Sequence, residues 1–261
     1  MTDRLDHIAR EIFRQHRAGE GFANLSGDLA PRDIDEAYAA QFRLHEIHAS
    51  EGRGPLGGRK IALASKVQQE LCGVDHPIAG GVFAGEIFES GAELRLADYH
   101  GLGLEFELAV VLGEDIAPGE APLDRESARA ATAAIRPAFE MIIDRNADYS
   151  DLNALTMAAD NAWSAGVVLG PEVAGWRDMD VEGMEAKLSW NDEAPSFAKV
   201  GDADPFGSLA WVANVLTGAG QTIRAGEIVI TGSVIKTRAP VAGDRATYRI
   251  GDVAEVSLLV A

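Results

Sequence analysis

Three glutamates and one lysine pose the chemical question in this chain. Residues 101–116 read GLGLEFELAVVLGEDI. The even positions Leu102, Leu104, Phe106, Leu108, Val110 and Leu112 are all apolar. The odd positions hold Glu105 and Glu107, then turn to Ala109 and Val111. A period of two predicts a long strand. Residues two apart in a strand share a face at about 6.5–7 Å. Two carboxylates there repel by roughly 2.5 kcal/mol at an effective dielectric of about 20. Partial burial adds a desolvation cost of several kcal/mol per ion. Water, an arginine, a shared proton or a metal must offset that cost. An E-x-E strand is ordinarily a solvated face, but the apolar remainder of this face argues for burial.

Glu140 sharpens the case. It is the one acid in the apolar part of RPAFEMIIDR (136–145), and a lone charge in a central strand needs a partner. Three carboxylates converging from two strands would form an all-oxygen site with positions open for water and substrate, the usual setting for Mg²⁺ or Mn²⁺. Whether the two strands are neighbours is not readable from their spacing. Lys60 precedes the apolar run IALAS. Beside an acidic metal site such a lysine can orient oxygens or transfer protons; elsewhere it would be solvated.

Other motifs carry less. HEIH (45–48) has histidines three apart, not the four of H-E-x-x-H, and is read as the polar face of an amphipathic helix. GLG (101–103) and the paired glycines at 57–58 and 80–81 lack the context of a nucleotide loop. Cys72 has no partner motif and reads as a small buried residue. No serine lies in a G-x-S-x-G elbow, against an α/β-hydrolase.

These residues need a scaffold. Helices are predicted over 3–18 and 33–49, joined by a loop and followed by the glycine-rich connection SEGRGPLGG (50–58). This divides the chain into a small helical N-terminal part, 1–57, and a strand-rich part, 58–261. Strands are predicted at 59–65, 81–90, 93–97, 136–144, 165–170, 181–192 and 226–233. Helices are expected at 66–73, 123–135 and 205–220, and two strands close the chain as a hairpin-like pair. There is no internal repeat and no regular βαβ alternation. The fold class is α+β, with a mixed, mostly antiparallel sheet.

A formal net charge of −18 over 261 residues disfavours binding to nucleic acid. The single cysteine excludes an internal disulfide framework and fits a reducing compartment. The charged N-terminus lacks the apolar core of a signal peptide, and no apolar run is long enough to span a bilayer. A cytoplasmic protein is expected, with no membrane partner.

With these motifs in place, the chain resembles the fumarylacetoacetase superfamily, in its 2-oxopent-4-enoate hydratase and 4-oxalocrotonate decarboxylase branch. The matching pieces are GRKIALASKVQQELCGVDHPIAGGVF (58–83), LEFELAVVL (104–112), RPAFEMIIDR (136–145), ADNAWSAGVVLG (159–170) and GEIVITGS (226–233). With the helical start they cover nearly the whole chain in the family's order. The resemblance implies a rolled β-sheet and Mg²⁺ or Mn²⁺ held at Glu105, Glu107 and Glu140. It implies a proton-transfer or substrate-orienting role for Lys60, and a substrate-facing position for Ser164 and Ser233. Three places depart from the family's pattern: Ile78 and Ile143 stand where an acid is common, and SVIKTRAP brings Lys236 and Arg238 after the last matching strand. Trp163 is also bulky for its position.

The reaction implied is metal-dependent hydration of a 2-hydroxy-2,4-dienoate through its enolate and ketone tautomers. Decarboxylation of a 2-oxo-3-enedioate is the alternative, because both need the same electron sink. A catalytically silent scaffold subunit and a diketone carbon–carbon hydrolase are the more distant readings. The resemblance also implies a homo-oligomer, open to a complex with another enzyme of an aromatic-catabolic pathway.

Overall fold

The computed structural model describes residues 2–261. Two helices come first, α1 (Thr2–Ala18) and α2 (Ile34–His48). Asp33 caps α2 by accepting the amide of Glu36, where orphan N–H groups need a partner. There follow β1 (Leu56–Ala62), α3 (Lys66–Leu71), β2 (Ile78–Phe83), β3 (Ile87–Glu89), β4 (Ala92–Leu94) and β5 (Leu102–Leu112). Next are α4 (Arg125–Ala131), β6 (Thr132–Ile143), α5 (Ala154–Ala159), β7 (Ser164–Leu169), β8 (Glu185–Trp190) and β9 (Ser196–Lys199). The chain ends with α6 (Pro205–Gly218), β10 (Ile228–Ile230), β11 (Ile235–Arg238), β12 (Arg245–Ile250) and β13 (Ala254–Val260).

The strands form two sheets. The larger runs β2-β1-β10-β5-β6-β7-β3, with β11 also paired to β5, and the smaller runs β4-β13-β12-β8-β9. Pairing is mostly antiparallel; β1–β10, β3–β7 and β4–β13 are parallel. The α+β class and the mixed, mostly antiparallel sheet are as expected. Some local predictions fail. Residues 132–135 were expected to be helix but are the start of β6. Thr132 turns its hydroxyl back to the Ala128 carbonyl, α4 stops, and Ala134 and Ile135 pair with Val111 and Val110. The alanine run suits either state, and pairing along β5 decides it. The strand expected over 226–233 is cut to β10, and α5, β9 and β11 appear where no element was expected.

β5 explains its own sequence. Its even positions are buried in the main core, together with Ile8, Leu44, Phe139 and Tyr248. The apolar end of the odd face, Ala109 and Val111, packs in a second cluster with Val82, Ala138, Val167, Ile228 and Ile230. Both faces of β5 are covered, so Glu105 and Glu107 do not sit on a solvated face. Helices α1 and α2 belong to the same packing. Gln41 of α2 donates to the carbonyls of Ala79 and Ala158, at 2.9 and 2.6 Å, tying α2 to β2 and α5.

Candidate active site

The antiparallel register between β5 and β6 sets Glu105 directly opposite Glu140, and Glu107 opposite Ala138. Cross-strand neighbours and i, i+2 neighbours share a face, so the three carboxylates converge. One oxygen of each lies within 4.8 Å of the others. Glu107 and Glu140 are fully buried, 1% and 0% exposed, and Glu105 is half-buried.

Each carboxylate has a defined neighbour. Glu105 accepts from the Thr237 hydroxyl at 2.6 Å, so the unexpected strand β11 supplies part of the site. Glu107 accepts from the Gly232 amide at 2.5 Å. Gly232 has φ +108°, a conformation side chains rarely adopt, and this glycine lets the backbone N–H turn to the carboxylate. The other Glu107 oxygen is buried with no hydrogen-bond partner. Lys60 reaches across from β1; its Nζ lies 2.5 Å from Glu140 Oε1 and donates to the Ala162 carbonyl at 3.0 Å.

One cation does not balance three acids. Burial, reinforced by Glu140 and Glu105, holds the Glu107 carboxyl well above the usual range. Burial also pushes Glu140 up to about 7, against the opposing pull of Lys60. Hard oxygen donors, an orphaned buried oxygen and mutual repulsion together fit a hard divalent cation such as Mg²⁺.

The Ala162 carbonyl that holds Lys60 lies in an unusual turn. Asn161, Ala162 and Trp163 all have positive φ, at 60°, 50° and 59°. Such residues cost about 1–3 kcal/mol each and persist only where their surroundings over-determine them. The Asn161 side chain is clamped by the Gly81 amide at 2.7 Å, the Gly81 carbonyl at 2.9 Å and His45 Nε2 at 2.7 Å. A Cβ on Gly80 would meet the Asn161 carbonyl at 2.9 Å, so only glycine lets β2 approach this turn. Behind it, buried Asp160 accepts from Arg145 at 2.5 Å and lies 2.7 Å from His16 Nε2. His16 in turn contacts His48 at 3.2 Å.

This corrects the reading of HEIH. His45 and His48 face inward, 7% and 8% exposed, and belong to the packing behind the site. Burial pushes both rings down to about 3, so they stay neutral. The sequence signal was ADNAWS, whose Asp160 and Asn161 are the partners of these helices.

The two serines have different surroundings. Ser233 lines the cavity over the glutamates, but its hydroxyl is engaged with the Phe106 amide and the Ile235 carbonyl, holding β11 to β5. Ser164 begins β7 and is buried, with no hydrogen-bond partner for its hydroxyl. Ile78 is a fully buried β2 residue. Asp144, next to Ile143, accepts from Asn146 and Tyr149.

Residues 82–259 match the family described as fumarylacetoacetate (FAA) hydrolase C-terminal. The chain belongs to this family. Among members of the wider set of relatives, it is 30% identical over 253 residues to the 2-keto-4-pentenoate hydratase of Paraburkholderia xenovorans (strain LB400), covering 96% of this chain and 89% of that one. It is 32% identical over 252 residues to 2-keto-4-pentenoate hydratase 1 of Dechloromonas aromatica (strain RCB), covering 93% and 92%. Its fold is shared with 4-oxalocrotonate decarboxylase from Pseudomonas putida G7 complexed with magnesium and adipate, at a TM-score of 0.90 and 21% identity over 100% of this chain and 98% of the other. The fold shared with that decarboxylase includes the N-terminal helices, which precede the matched family segment.

Proposed function

We propose that this chain is a divalent-cation-dependent hydro-lyase that adds water to a 2-hydroxy-2,4-dienoate of the 2-keto-4-pentenoate type. The observation that carries the reading is the convergence of Glu105, Glu107 and Glu140 beside Lys60, with Glu105, Glu107 and Lys60 lining one cavity, in a chain about 30% identical to named hydratases. The three glutamates would hold Mg²⁺, with Mn²⁺ as the other candidate. A bound divalent cation supplies Lewis-acid stabilisation of the charge that develops on the substrate's C2 oxygen.

The chain's own groups do the rest. Lys60 has three N–H groups; one donates to the Ala162 carbonyl, and the ammonium pairs ionically with Glu140. At least one N–H is left for the substrate. In the first half of the reaction the enol proton leaves O2 and a proton is delivered to C5. In the second, water adds its oxygen at C4 and C3 takes a proton. Lys60 is assigned to move these protons, with the turn at 161–163 fixing its ammonium. Ser233 is assigned to shape the wall by holding β11, and Ser164 offers an unused hydroxyl below the turn.

Decarboxylation of a 2-oxo-3-enedioate is the second reading, favoured by one observation. Lys236 is exposed and is the one cation besides Lys60 that lines the cavity among the described residues, the group left to meet a second carboxylate. Product identity separates the two. Incubation of 2-hydroxypenta-2,4-dienoate with the chain and Mg²⁺ is expected to yield the 4-hydroxy-2-oxo acid without release of CO₂. Full activity after removal of all divalent ions would contradict the reading.

No helix among the described residues is long and apolar enough to cross a membrane. We extend the proposal to a cytoplasmic homo-oligomer, open to association with a neighbouring pathway enzyme, in which residues 1–57 buttress a catalytic part over 58–261.

A further inference from the structure

The cavity over the glutamates has a volume of about 920 Å³. Cavities of roughly 300–1,000 Å³ hold ligands of drug size, and a five-carbon acid fills only a small part of this one. The remaining wall is largely apolar, with Val67, Leu71, Leu152, Met157, Trp163 and Trp211 among its residues. Val67 and Leu71 are 75% and 50% exposed on α3, apolar side chains left on the rim of the opening. Trp163 is a fixed part of the wall. Its ring meets Phe22 edge-on at 5.1 Å and Tyr149 at 6.1 Å.

The charges on the wall do not suit a second anion. Besides Glu105, Glu107 and Lys60, the charged residues lining the cavity are Lys236, Asp202 and Asp204, and no arginine lines it among the described residues. A carboxylated tail would therefore find one exposed ammonium, two acids and no bidentate partner.

We propose that the site is built for dienoates whose end remote from the carboxylate bears an apolar substituent of several carbons, alkyl or aryl, and that it disfavours a carboxylated tail. The proposal rests on the reading that Glu105, Glu107 and Glu140, with their cation, bind the 2-oxygenated acid head. Each methylene moved from water to such a wall strengthens binding about threefold to fourfold.

Binding of saturated 2-oxo acids tests this without turnover. The full chain with Mg²⁺ is titrated with 2-oxobutanoate, 2-oxohexanoate and 2-oxooctanoate, and with 2-oxoadipate as the carboxylated tail. Calorimetry reads the affinity. Affinity is expected to climb about threefold or more per methylene, with the diacid at least about tenfold weaker than the monoacid of equal length. Leu71→Asp and Val67→Asp change exposed positions and are expected to reduce the ratio between the longest and shortest acids. A flat series, tighter binding of the diacid, or an unchanged ratio in both variants would overturn the proposal. A climbing series with no turnover of any dienoate would support the apolar tail and contradict the hydratase reading. Turnover of 2-hydroxypenta-2,4-dienoate with a flat series would do the reverse. No binding of any 2-oxo acid would overturn both.

Discussion

Two buried polar clusters lie on either side of the turn at 161–163, and their charges are balanced differently. Behind the turn, Asp160 is matched by Arg145 and His16, while Asn161 is matched by His45 and Gly81. In front of it, Glu105, Glu107 and Glu140 share Lys60, and one Glu107 oxygen and both Glu140 oxygens have no hydrogen-bond partner. Both clusters incur the cost of removing charge from water. In the rear one both carboxylate oxygens of Asp160 have protein partners, and Arg145 Nε is the one buried atom of the pair without one. A satisfied cluster holds a shape, whereas an unsatisfied one asks for a ligand of the missing charge. The rear cluster fixes the strained turn, and the turn fixes Lys60 against Glu140.

Substitutions that remove one negative charge from each cluster should therefore behave in opposite ways. The largest expected effect is on turnover. With Mg²⁺ present, Glu107→Gln or Glu140→Gln should lower kcat/KM toward 2-hydroxypenta-2,4-dienoate by about a thousandfold or more, because the site would hold its cation weakly. Without divalent ions, the same Glu107→Gln change should raise the melting temperature, since it removes a buried carboxyl whose ionised form burial and its neighbours disfavour. Asp160→Asn should instead destabilise the metal-free chain by about 3–5 kcal/mol, read by denaturant unfolding, because it leaves Arg145 buried and unpaired. If both changes shifted stability in the same direction, the comparison between the clusters would fail.

Titration provides a smaller contrast. Glu107 and Glu140 are raised, so at neutral pH the cation competes with protons. Mg²⁺ affinity should fall as pH drops from about 8 to about 6, with protons released on binding. For the metal-free chain the sign is also determined. Raised carboxyls contribute stability below their unfolded range near 4.5, and it is lost as pH rises through about 7 for Glu140. His45 and His48 behave oppositely. Their folded values near 3 lie below the unfolded 6.5, so their contribution is complete above 6.5 and is lost as pH falls toward 3. Replacing His48 by phenylalanine should reduce the acid-side loss, the smallest of these effects.

Much of the site was legible in local patterns. The period-two run of β5, the E-x-E on its partly apolar odd face and the lone Glu140 in an apolar strand all marked residues that converge. What local pattern could not provide was register, because the pairing of Glu105 with Glu140 joins positions far apart in the chain. The rear cluster was missed for the same reason. His45 and His48 look like a helix's polar face until Asp160 and Asn161 fold against them. Residues 132–135 were misread because alanine favours helix when nothing opposes it, and pairing along β5 does oppose it. Thr237 gave no signal, since β11 is short and joins the sheet only at the edge of β5.

The central claim is that the front cluster lacks a divalent cation's charge. Titration calorimetry of Mg²⁺ into the chelator-treated chain tests it most directly. One ion per chain is expected, bound with release of protons and weakened at least about a hundredfold in Glu107→Gln and in Glu140→Gln. Absence of binding, or equal binding by the wild-type chain and both variants, would contradict the account.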